Sequence, residues 1–355
     1  MVEDSAAAFL DQHHQRGRVR GDREGIALWP GIVELGLPLV ALDEAAGGTG
    51  LGAAGIVRLA RLFGRMLVPE PLIAAAFIPA TLATALPGTE LGAAILAGIG
   101  DGARRCVLAW QEDARAIAAW GVTAAIMHGR LAGTKLLVPG SPTHLLVTAM
   151  AGEAPALCLL PVDAAGIRCD AQPGLGGGML AQVRFDGVEV GGAPCVTGAA
   201  AGLAADRALL VGTLAHAARL LGLAEAAFAL TLEHIKTRAQ FGQTIGSFQA
   251  IQHRAVDLQI AIALSEASID AAAAAFDSDP DGPAARAAIS AAIARASAGG
   301  LLIAKESVQM HGAIGFTAEA DIGLYVRALS GTGHLMGTAR DHRRRFANLQ
   351  EANLG

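Results

Sequence analysis

At 355 residues the chain exceeds one comfortable hydrophobic core, so two or three structural units are expected. Hydrophobic residues make up 53% and charged residues only 17%, with 4% aromatic, which calls for a large interior of Ala, Leu, Ile and Val and for helices buried on all sides, as in an oligomer. A formal net charge of -5 gives no electrostatic basis for nucleic-acid binding.

The mean hydropathy of +0.44 raises the question of a membrane span, most sharply over the uncharged stretch Pro71 to Thr89. Prolines at 71, 79 and 87 interrupt it, so a buried helix is expected and no span. The start, Met1-Val2-Glu3-Asp4-Ser5, is acidic and lacks the basic-then-apolar order of a secretory signal, which points to a cytoplasmic protein. Cysteines 106, 158, 169 and 195 lack metal-ligand spacing and read as small core residues of a reducing compartment; no metal site is expected.

In chain order, residues 1–102 carry a helical pattern broken by Gly47-Gly48-Thr49-Gly50. No strand leads into these glycines and no Lys-Ser/Thr follows, so they read as a loop between helices rather than a phosphate loop. Over residues 103–199 the texture changes to short apolar runs: Cys106 to Trp110, Leu136 to Val138, Leu145 to Ala149, Leu157 to Leu160 and Val183 to Phe185. These read as strands, with turns at Gly133-Thr134, Pro139 to Pro142, Ala165-Gly166 and Asp186-Gly187. Residues 200–355 return to helices: Leu203 to Thr237, Ser247 to Phe276, Pro283 to Met310, Glu319 to Leu329 and about His334 to Asn348. Short connections between long helices make a bundle. The fold class is therefore α+β, with a β domain between two helical ones.

Between the first two bundle helices lies Arg238-Ala239-Gln240-Phe241-Gly242-Gln243-Thr244-Ile245-Gly246-Ser247-Phe248-Gln249, with His253 beyond. Ser247 can cap the following helix. The guanidinium of Arg238, at a helix end beside flexible glycines, suits a phosphate diester. The same residues also fit a plain helix-helix connection with a solvated arginine. Further on, Gln309-Met310-His311-Gly312-Ala313-Ile314-Gly315 combines a glutamine with small residues that permit close backbone approach.

Arg-x-x-Phe-Gly followed by Ile-Gly-x-Phe-Gln resembles the signature loop of the flavin-dependent acyl-CoA dehydrogenases. Other blocks are similar to that family in the correct order: Gly64-Arg65 with Pro69-x-Pro71, Leu131 to Lys135 before Pro139, Phe185 to Val190, and Gln309 to Gly315, with Ala313 where the family has a second glycine. The resemblance implies an N-terminal helical domain, a middle β-barrel-like domain and a C-terminal four-helix bundle. It implies FAD at a subunit interface, an acyl-CoA thioester as substrate, electron-transfer flavoprotein as acceptor, and a homo- or hetero-oligomer. Residue by residue, Arg238, Gln240 and Phe241 would meet the pyrophosphate and adenosine of a FAD shared with a partner. Gln309, Gly312 and Ala313 would line the same region, and Thr338 matches a threonine of the closing loop.

Two parts depart from the family pattern. Gln111-Glu112-Asp113 stands for Thr-Glu-Pro, and Leu137-Val138-Pro139 for Trp-x-Thr on the flavin strand, removing a stacking ring and a backbone donor. The family's base, a Glu before Gly-Thr, falls on Met336, and a thioether cannot take the α proton. The alternative placements on the helix leading into the loop fall on Gly212 and Arg219. Asp206 is the nearest acid upstream, a weak candidate base that also reads as a helix N-terminal acid. His216, His311 and His334 lie near the right segments, where structural roles account for them. The expectation is an acyl-CoA dehydrogenase-type subunit for α,β-dehydrogenation without its usual base, or a non-catalytic scaffold that stabilises a paralogous partner.

Overall fold

The computed structural model describes residues 2–21, 24–100, 102–317 and 320–354. Five helices open the chain: α1 (Val2–His13), α2 (Trp29–Glu34), α3 (Gly52–Arg65), α4 (Ile78–Thr84) and α5 (Glu90–Gly100). A π-helical turn, Ile73–Phe77, runs directly into α4 and places Pro79 in its first turn, where a missing N–H is tolerated. This apolar stretch is buried, as its interrupted sequence suggested, with Ala76, Phe77, Ala80 and Leu82 fully inaccessible.

The middle of the chain forms one eight-stranded sheet from β1 (Cys106–Ala109), β2 (Ala125–Met127), β3 (Arg130–Pro139), β4 (His144–Ala151), β5 (Ala154–Pro161), β6 (Ile167–Pro173), β7 (Met179–Glu189) and β8 (Cys195–Thr197). Its order is β6-β7-β3-β2-β4-β5-β8, with β1 parallel beside β4. Two expected turns lie inside strands instead. Gly133-Thr134 sits within β3 at a register shift against β7, and Asp186-Gly187 lies within β7. The glycines there serve bulges rather than reversals. The cysteine expectation also needs correction. Antiparallel pairing of β5 with β8 sets Cys158 opposite Cys195, and the two are disulfide-bonded; Cys169 is exposed, and Cys106 is a buried thiol outside the disulfide.

The C-terminal part contains α6 (Ala199–Thr237), a hairpin of β9 (Ala239–Gln240) and β10 (Gln243–Thr244), then α7 (Gln249–Ser278), α8 (Pro283–His311), α9 (Ile322–Thr332) and α10 (Ala339–Leu354). The first residue expected of α9, Glu319, lies outside the described residues. Pro283 occupies the first turn of α8 and Gly312, with φ of 65°, closes it. Ser247 does not cap α7: Phe248 holds that position, and the Ser247 hydroxyl donates to the Thr244 carbonyl at 2.7 Å.

By length and composition α6, α7 and the segment from Pro283 could each cross a membrane, yet 89% of the apolar window of α6 is buried within the molecule. This 39-residue helix is the axis of the fold. It meets α3 so closely that a Cβ at Gly222 would lie 1.9 Å from the Arg61 carbonyl oxygen, and one at Gly64 2.1 Å from that of Arg219. At this crossing glycine is required by backbone proximity.

Candidate functional site

A cavity of about 130 Å³ opens where the N-terminal helices, the sheet and the bundle meet. Met336 reaches it from the turn between α9 and α10, and Gly212 of α6 packs behind it: a Cβ at Gly212 would lie 3.3 Å from Met336 Cε. Two of the three positions where the resemblance places a base thus meet, the third, Arg219, lines the same cavity, and none carries an acid. Ile78 fills the space beside Gly212, since that Cβ would also lie 2.6 Å from Ile78 Cδ1. The turn holding Met336 is fixed by His342, whose Nε2 donates to the Met336 carbonyl at 2.7 Å, and by Gly337, at φ of 96°.

Two ionisable side chains of α6 face the cavity. The His216 ring donates from Nε2 to the Thr332 carbonyl at 2.7 Å, and burial pulls its pKa down to about 4, leaving it neutral near pH 7. Arg219 keeps accessible surface because it lines the cavity, while the dense protein around it pulls its guanidinium down to about 10 through burial alone. It donates to the Val68 carbonyl at 3.3 Å and, among the described residues, has no carboxylate within ion-pair distance.

The cavity's carboxylate is Glu70, which sequence reasoning did not single out although Pro69 and Pro71 flank it. Arg18 donates to both of its oxygens at 2.8 Å, and the Leu28 N–H donates at 2.8 Å. Its side chain is wholly inaccessible, so its charge is spent on structure.

On the sheet side, Leu137 and Pro139 line the cavity where the resemblance expects a ring and a donor, and Leu137 adopts φ of 53°. Gln111 is buried here with its amide Nε2 lacking a hydrogen-bond partner. The next residue, Glu112, anchors this segment. Its carboxylate accepts from Lys135 Nζ at 2.8 Å, from the Thr123 hydroxyl at 2.7 Å and from the Ala124 N–H at 3.0 Å. Burial alone would raise its pKa; these donors outweigh it and hold the group at about 2.

Asp206 is not part of this cavity. It faces Arg286 at 3.7 Å, and burial raises its pKa against the opposing influence of Arg286 and Arg345. A carboxylate turned toward two arginines elsewhere on the bundle is in no position to serve the cavity as base.

The remaining sequence candidates form a second, outward-facing cluster. Stacking of His234 on His311, with ring centroids 4.3 Å apart, joins the C-terminal ends of α6 and α8. That brings Arg238, Gln240 and Phe241 to the same end as Gln309, Gly312 and Ala313, all of them exposed. Arg238 has no side-chain partner among the described residues; its carbonyl accepts from the Ile245 N–H at 2.8 Å, closing the hairpin. Phe241 is 92% exposed at φ of 53° and meets Phe248 edge-on at 6.3 Å. Thr338 does not join this cluster: it sits at the start of α10, where its hydroxyl donates to the Asp341 carboxylate and accepts from the Asp341 N–H at 3.2 Å. Among the described residues no group of three or more His, Cys, Asp or Glu could hold a metal ion.

The chain matches the family described as "Acyl-CoA dehydrogenase, C-terminal domain" over residues 202–348. It is 38% identical to acyl-CoA dehydrogenase IpdE2 of Mycolicibacterium smegmatis over 157 residues, which is 44% of this chain and 46% of that protein; the match therefore spans less than half of that relative's length. Among solved structures, a variant of the Tcur3481-Tcur3483 steroid ACAD is 30% identical with a TM-score of 0.87, covering 99% of this chain and 97% of that one. The ChsE4-ChsE5 complex from Mycobacterium tuberculosis, 24% identical, shares the fold with a TM-score of 0.86 over 99% of this chain and 96% of that one.

Proposed function

This chain belongs to the acyl-CoA dehydrogenase family, and from that premise we propose that it serves as one subunit of a mixed assembly for α,β-dehydrogenation of an acyl-CoA thioester. Its Arg238 loop completes a FAD site, and a paralogous subunit supplies the catalytic carboxylate. The observation that carries this reading is that Met336 and Arg219 line one cavity and Gly212 packs against Met336, with no acid at any of the three positions.

The residues present fit FAD at one end only. Arg238 is exposed and unpaired on a hairpin stiffened by β9 and β10, and Gln240, Phe241, Gln309 and Gly312 share that face. This donor set suits a diphosphate carried by a neighbouring subunit, and a charge-assisted bond from Arg238 contributes about 1.5–3 kcal/mol. The cavity inside this chain does not fit a flavin ring. Its volume is comparable to one that takes a single benzene, Leu137 offers no stacking surface, and Pro139 has no N–H. When bound, FAD supplies the hydride acceptor of the family's reaction. For its part the chain would orient the cofactor's phosphates through Arg238, and Ile78, Met336 and Leu335 give its cavity an apolar wall; it has no group there free to accept the α proton.

Relatives support the assembly and substrate class by their own descriptions, one as a two-component complex and one as a steroid ACAD. A bulky acyl-CoA such as a steroid side-chain thioester, an electron-transfer flavoprotein as acceptor and a cytoplasmic location complete the proposal. The alternative is a scaffold that stabilises a partner without contributing to cofactor binding, favoured by the altered sheet face at Leu137 and Pro139. Replacing Arg238 by Ala in the co-purified assembly separates the two. The proposal expects FAD to be lost on dialysis while the subunits stay together; unchanged FAD retention favours the scaffold.

A further inference from the structure

Among the described residues, Arg219 is the one charge lining the cavity without a carboxylate in ion-pair distance. Glu70 is held by Arg18 and the Leu28 N–H, and no electrostatic partner offsets the burial of the Arg219 guanidinium. His216, one turn away on the same helix, is neutral and committed to Thr332. A buried cation without a counter-charge is costly and persists where a ligand provides the anion. A second donor belongs to the cavity wall: Gln111, 3% exposed, with its amide Nε2 unpartnered. The rest of the lining is apolar, including Phe63, Ile73, Ile78 and Leu180. A wall that carries a guanidinium and an amide among hydrocarbon is the complement of a carboxylate on a short aliphatic or alicyclic body.

We infer that the cavity of this subunit binds an acyl group that ends in a carboxylate, held by Arg219 and the Gln111 amide, rather than a methyl-terminated acyl chain. The inference rests on the proposed function only for the CoA thioester at the other end. The carboxylate site itself follows from the cavity. With a cation where a base would stand, the ligand is gripped at this end and no proton is removed by this chain. The site therefore selects and holds.

Calorimetric titration of the full chain, alone and in its co-purified assembly, with hexanoyl-CoA, adipoyl-CoA and free adipate tests this. Adipoyl-CoA is expected to bind at least about tenfold tighter than hexanoyl-CoA, the equivalent of one charge-assisted bond or about 1.4 kcal/mol. Arg219→Met should abolish that preference and Arg219→Lys retain part of it, with Gln111→Leu weakening adipoyl-CoA alone. If free adipate binds as tightly as adipoyl-CoA, the carboxylate site is supported with the free acid as its ligand. Equal affinity of the wild-type chain for hexanoyl-CoA and adipoyl-CoA overturns the inference, and so does a preference that survives in Arg219→Met. The wild-type comparison decides even if Arg219→Met fails to fold. Visible absorption of the same samples reports FAD separately, so a colourless chain that prefers adipoyl-CoA refutes neither claim on the other's account.

Discussion

At position 336 a thioether occupies the place where the family's reaction needs a carboxylate, and Gly212 beside it offers no substitute. Because this cavity does not fit a flavin ring, Met336→Glu in an assembly that carries FAD is expected to leave dehydrogenation of acyl-CoA at the level of the unmodified assembly, measured as acceptor dye reduction. A gain would show that a flavin reaches this cavity despite Leu137 and Pro139. A different residue pair governs folding. Lys135 is wholly inaccessible and relies on Glu112 for its counter-charge. Glu112→Ala should cost about 3 kcal/mol in denaturant unfolding, because it strands a buried ammonium, while Glu112→Ala with Lys135→Met should recover part of that loss. Gly212 was legible by counting back from Arg238, and Met336 by counting on from Gly315. The isolation of Arg219 was not, because it depends on Arg18 claiming Glu70 across 52 residues of chain, which no local pattern reveals.

At the level of elements, α6 is the piece against which the rest is assembled, and its crossing with α3 sets the position of Arg219 relative to Val68. Gly222→Ala would force the α3 backbone at Arg61 to move, and about 3 kcal/mol of destabilisation is expected from the displaced contacts, read as a lower denaturant midpoint. Gly212→Ala, whose nearest neighbours are side-chain atoms of Ile78 and the Met336 methyl rather than backbone, should cost less. The long helices were legible because apolar residues recur over many turns and Pro283 and Gly312 punctuate them. The sheet was legible in part. Strand β6 escaped because it is almost wholly exposed and has no apolar alternation to read, and the bulge at Gly133 looks like a turn in sequence. The Cys158–Cys195 bond depends on the β5–β8 register, a long-range fact that the spacing of cysteines does not contain.

Across the whole molecule, His14, His144, His216, His234, His311 and His342 all have pKa values lowered chiefly by burial. A histidine whose folded pKa lies below its unfolded value of 6.5 binds fewer protons in the native state, so its contribution to stability is complete above pH 6.5 and is lost as pH falls, for His216 toward about 4. Glu112 adds a further loss between its ordinary 4.5 and about 2. Unfolding should therefore be easier at pH 5 than at pH 7 and take up protons, which pH-dependent calorimetry would register; stability independent of pH across that window would contradict the burial of these rings.

The assembly claim is also a statement about the whole molecule, since the same chain displays outward an Arg238 without a side-chain partner among the described residues and keeps inward a cavity whose carboxylate, Glu70, is committed to Arg18. Its most direct test is the visible absorption of the chain expressed alone and co-expressed with a paralogous subunit carrying the catalytic Glu, followed by addition of an acyl-CoA. The account predicts a colourless chain when alone, and a yellow complex that bleaches with acyl-CoA when paired. A chain that carries stoichiometric FAD by itself and is reduced by acyl-CoA would contradict it.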